Sequence, residues 1–155
     1  MSRYNTINTF YEKGIQAGDY TGVKPILAYL ITTNDAIQDA QTTRWSFINV
    51  FSIILIPKAL DYTLQTFKVA GRIDNVPAGD AETVIQIVDK DGKEIAKNVL
   101  TGNIKKGGVQ FAAFFGLVKF DTPGRYYMHA YFNDKRLTDS NRYFFDVVKE
   151  DGFIS

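Results

Sequence analysis

From Pro25 onward, short runs of β-branched and aromatic residues are cut by clusters of turn formers at fairly regular intervals. That spacing is expected of an all-β, two-sheet antiparallel β-sandwich. Strands are predicted over residues 25–31, 44–56, 63–73, 83–89, 93–98, 109–120, 125–132 and 142–148, with a short helix or irregular loop over 34–41. Period-two alternation supports several of them: Phe67, Val69 and Ile73 fall on one side with Lys68 and Arg72 on the other, and Ile85 and Ile87 flank Gln86.

The turns are chemically explicit. Asp89-Lys90-Asp91-Gly92 places a glycine where a hairpin loop needs positive φ, and Asp121-Thr122-Pro123-Gly124 sets a turn with Pro then Gly. Tyr126, just after that second turn, stands where sandwich domains fold a tyrosine hydroxyl back onto the preceding corner. With Tyr126 inward, Met128, Ala130 and Phe132 also point inward, and Tyr127, His129 and Tyr131 point outward. The predicted strand 109–120 is apolar in both phases, which a bulge near Gly116 accounts for better than burial of both faces.

The segment before Pro25 has a different character, polar and punctuated by Gly14, Gly18 and Gly22. It divides the chain into an arm, residues 1–24, and a sandwich domain, residues 25–155. Tyr4, Ile7, Phe10, Tyr11 and Ile15 would share one face of a short helix capped by Asn5 or Thr6 and stopped at Gly18.

Composition narrows the chemistry. A chain of 155 residues can bury roughly 70% of its unfolded surface without covalent staples. It has no cysteine, which excludes disulfides, thiolate metal sites and a cysteine nucleophile. Lys+Arg 18 against Asp+Glu 17 leaves no long-range field to attract nucleic acid. The longest apolar stretch, around Phe47 to Ile56, is broken by Asn49 and Ser52 and stopped by Pro57. It falls short of the ~20 residues a membrane span takes. The first residues lack the apolar run of a secretory signal, so synthesis in the cytoplasm is expected.

The stretch from Pro25 to Lys149 resembles a family of small bacterial and phage domains of uncharacterised function with an immunoglobulin-like or C2-like sandwich. The resemblance is carried by the apolar first strand Ile26 to Ile31, the run from Trp45 to Ile54 ending near Pro57, the hairpin around Asp89 to Gly92, and Phe115-Gly116-Leu117 leading into Pro123-Gly124-Arg125-Tyr126. The chain departs from the family pattern at Asn49-Val50, where a glycine is usual, and in its long arm. The resemblance implies the fold and, from the phage members, a role in a virion such as a capsid or tail accessory protein.

Catalytic and metal motifs are weak. His129 is the only histidine and has no flanking motif of a triad or a metal site. Asp89, Asp91 and Glu94 lie near one turn but lack the other ligands of a calcium loop. A calcium site in the C2 manner would need Asp74, Asp80 or Asp134 to gather at one end. Residues 102–108 combine glycines and lysines in the wrong order for a phosphate loop, and no pair of acids is marked as a glycosidase pair.

The expectation is therefore a non-enzymatic protein without a cofactor that binds protein partners or copies of itself. The expected contact residues are Tyr4, Ile7, Phe10, Tyr11 and Ile15 of the arm and Tyr127, His129 and Tyr131 of the sheet, with Phe144 a further outward aromatic. The alternative is a carbohydrate-binding module that stacks sugars on Tyr127, Tyr131 or Trp45.

Overall fold

The computed structural model describes residues 24–105, 107–138 and 142–150. The expected arm helix and its anchors Tyr4, Ile7, Phe10, Tyr11 and Ile15 lie outside the described residues. The elements are β1 (Ile26–Gln38), β2 (Trp45–Phe51), β3 (Ile53–Ile56), β4 (Thr63–Val76), β5 (Gly79–Val88), β6 (Glu94–Ile104), β7 (Gly107–Phe120), β8 (Gly124–Phe132), β9 (Lys135–Arg136) and β10 (Phe144–Lys149). The fold is all-β, as expected. One sheet has the order β2-β1-β4-β7, and the other has β3-β10-β8-β5-β6 with β9 paired to β8.

One core lies between the sheets. Phe67 and Phe120 from the first meet Phe145 from the second at centroid distances of 6.2 and 5.7 Å. Tyr126 stacks on Phe145 at 5.8 Å and meets Phe120 edge-on at 5.2 Å. Ile73, Ile85, Ile87, Val69 and Ala130 belong to the same core. Tyr126, Met128, Ala130 and Phe132 all point inward and are buried, the expected phase of β8.

Four expectations are corrected. Residues 34–41 are neither helix nor loop up to Gln38: β1 runs on through them, paired with β2 from Thr32↔Phe51 to Gln38↔Trp45. The local preference of Asp35-Ala36-Ile37-Gln38 is overridden by cross-strand pairing, and Asp35 is held by Lys68 at 2.8 Å. The predicted strand 44–56 is two strands in two sheets. It changes sheet at Ser52, whose carbonyl accepts the Asp146 N–H at 2.9 Å. The two sheets are not wholly antiparallel, because β3 and β10 run parallel. The strand expected over 93–98 continues to Ile104, where pairing with Gly79 still holds it.

The bulge in β7 lies at the expected place. Gln65 pairs with Val118 but Phe67 pairs with Phe115, so Gly116 and Leu117 stand opposite the single residue Thr66. Leu117 has φ 51° and donates its N–H to Thr66 Oγ1 at 3.0 Å. The extra residue resets the phase, so Phe111, Ala113 and Phe115 before it and Val118 and Phe120 after it all point into the core.

The first sheet is also curled. Phe47 pairs with Ala36, seven residues along β1 from Tyr29, a distance of ~23 Å on a straight strand. Yet the Tyr29 and Phe47 rings meet edge-on at 6.2 Å. Ala36 and Ala70, outside the core cluster, are buried all the same.

Candidate interaction surface

Tyr127, His129 and Tyr131 lie together on the outer face of the second sheet, each half-buried. Register places Tyr131 beside Val84, His129 beside Gln86, and Tyr127 between Val88 and Phe144. The Tyr131 hydroxyl is 3.5 Å from Gln86 Oε1, while Gln86 Nε2 donates to Glu94 Oε1 at 3.0 Å. Next to them, the Arg125 guanidinium lies 3.8 Å from the centre of the exposed Phe144 ring. It donates to both carboxylate oxygens of Asp146, at 2.9 and 3.3 Å. That pair raises the Arg125 pKa. Burial lowers the His129 pKa and the Arg136 charge lowers it further, both favouring the neutral imidazole.

A second surface follows the strands where the chain changes sheet. β2 is an edge of one sheet and β3 an edge of the other. From Trp45 to Ile56 there is no charged residue. Ile48, Val50, Ile53 and Leu55 on these edges are 41%, 57%, 51% and 42% exposed. Charged side chains, prolines or covering loops blunt the free edges of most soluble sheets; this edge carries apolar side chains instead. Trp45 belongs to this edge, in the other sheet from Tyr127 and Tyr131, so the three expected sugar-stacking residues do not form one platform.

The acids are spread out. The Asp89 carboxylate accepts N–H groups of Asp91 and Lys93, both at 2.9 Å, and so fixes the hairpin turn in which Gly92 adopts φ 83°. Glu94 is held by Gln86. Asp74 pairs with Arg72 at 2.7 Å, and Asp80 accepts from Asn103 Nδ2 at 3.0 Å. Among the described residues no three acids or histidines converge on one point. Asp80, Glu82, Asn103 and Asn133 line an open concavity of about 570 Å³ at one end of the second sheet.

In comparisons with known proteins, no family model and no curated protein matches the chain. The structure brings Tyr127, His129 and Tyr131 together with Phe144, the outward phase expected of them, and adds Arg125. The uncharged edge was missed as a candidate surface. Its signal, twelve residues without a charge, was present in the sequence. Which side of each strand stays free depends on strand order, and that comes from the fold.

Proposed function

We propose that this chain is a non-catalytic subunit of a larger protein assembly, built on a sandwich of the immunoglobulin-like type. The observation that carries the reading is the free edge from Trp45 to Ile56. It is uncharged, it borders both sheets, and it presents Ile48, Val50, Ile53 and Leu55 to solvent. An apolar edge with unpaired peptide groups templates pairing with another chain. In the working molecule a protein partner covers it. The tyrosine corner and the strand that changes sheet support the immunoglobulin-like type, and the resemblance to phage domains makes a virion component the particular assembly we favour.

The test places charge on the edge. Ile48→Lys with Val50→Lys alters two exposed side chains and leaves the core alone. The double variant should keep the β-rich circular dichroism of the parent and sediment as a lighter particle than the parent. A variant that assembles like the parent would remove the edge from the account.

A further inference from the structure

β2 covers only part of β1. Its pairing stops at Thr32↔Phe51, because the chain departs at Ser52 to enter the other sheet. Residues 26–31 of β1 continue alongside β4, with Ile26↔Asp74 and Ile31↔Ala70 at the two ends. Among the described residues, no strand lies on the other side of residues 26–31. The result is a slot in line with β2, six residues or about 20 Å long, closed at one end by Phe51 and open at the exposed Ile26. Unpaired peptide groups along such an edge are a template for an added strand.

We propose that the slot is filled by an added strand drawn from residues 4–15 of a second copy of this chain. The proposal rests on the assembly reading above and names the partner. Twenty-three residues precede Lys24, and the described chain begins at the open end of the slot. A tight hairpin back from Lys24 would lay residues 16–21 beside 26–31. That stretch contains Ala17, Gly18 and Asp19, residue types depleted in strands. The apolar residues lie farther out, at Tyr4, Ile7, Phe10, Tyr11 and Ile15, with Ile7, Thr9 and Tyr11 in one strand phase. Residues 16–23, with Gly18 and Gly22, span up to about 27 Å when extended. That length is enough for the segment to reach a neighbour's slot. Strand addition to an open edge takes its affinity from main-chain hydrogen bonds and its register from alternate side chains.

The chain has no cysteine, so each introduced thiol is unique. Thr9→Cys marks the donated segment, and Ala28→Cys marks the slot at an exposed position where β1 shifts register against β4. Full-length copies of each single variant, one carrying a mass tag, are mixed and oxidised, and particle mass is followed by light scattering. The expected product is a disulfide-linked heterodimer on a denaturing gel, formed only from assembled protein. A Thr9→Cys/Ala28→Cys double variant that closes within one chain at high dilution, with no linkage between chains, overturns the proposal in favour of the chain's own arm. Assembly that persists with no cross-link in any combination overturns the slot and leaves the assembly reading standing. A monomer in every preparation removes both.

Discussion

The hydroxyl of Tyr126 donates to the carbonyl of Thr122 at 2.7 Å, closing the corner where the chain passes from β7 in one sheet to β8 in the other. The ring packs on Phe120 and Phe145. Burial raises the phenol pKa, with the charges of Asp121 and Asp89 adding to it, so the hydroxyl stays protonated and available as a donor.

Tyr126→Phe keeps the ring and deletes the bond. A single neutral hydrogen bond contributes about 1 kcal/mol, so the denaturant midpoint should fall by that equivalent with an unchanged slope. Tyr126→Ala removes the packing as well and should cost about 3–5 kcal/mol, as losses of large core aromatics do.

Gly71 lies between Leu30 and Phe111 in one cross-strand row. A Cβ there would stand 2.5 Å from Phe111 Cζ and 3.0 Å from Leu30 Cδ1. Gly71→Ala should destabilise by about 1–3 kcal/mol through overpacking. Phe111→Leu in the same chain should recover part of that loss, because contacting residues couple. Additive losses in thermal unfolding of the two single variants and the double variant would separate the sites.

Leu117 is 70% exposed and holds φ 51° at the β7 bulge. A left-handed conformation costs a branched residue about 1–2 kcal/mol relative to glycine. Leu117→Gly should therefore leave stability unchanged or raise it by up to about 1 kcal/mol despite removing a large side chain. A loss above 1 kcal/mol on chemical denaturation would show that the Leu117 side chain packs on something essential.

His129 gives the fold a pH dependence near neutrality. Its folded-state pKa lies below the ordinary 6.5, so the unfolded chain takes up the proton first. The stability tied to the neutral ring is fully present above pH 6.5 and is lost as the pH falls through the folded-state value. Asp35 is depressed by its hydrogen bond to Lys68 and Asp39 by the amides of Thr42 and Gln41, and both act in a lower range, below the carboxylate value of 3.8. Between pH 7.5 and 5.5 the wild-type denaturant midpoint should fall while that of His129→Gln stays level. Equal slopes for the two proteins would refute the assignment.

What could be read before folding was mostly local. The corner at Tyr126, the turn at Asp89 to Gly92 and the phase of β8 each depend on a few neighbouring residues, and all three stand in the structure. The bulge at Gly116 and Leu117 was legible for a similar reason: a strand apolar in both phases needs a phase shift, and the glycine marked it. Strand order and curl were not legible. The extension of β1 through residues 34–38 depends on β2 lying beside it, and the change of sheet at Ser52 depends on a bond to Asp146, far away in sequence. For the same reason Trp45, grouped with Tyr127 and Tyr131 by residue type, stands in a different sheet.

The central claim is that the Trp45–Ile56 edge is covered by protein in the working molecule. Light scattering of the full-length chain across a range of concentrations tests it most directly. The account predicts a particle several times heavier than the 17.5 kDa chain, and a lighter one once Ile48→Lys and Val50→Lys are introduced. A monodisperse monomer at every concentration, indifferent to those substitutions, would contradict it.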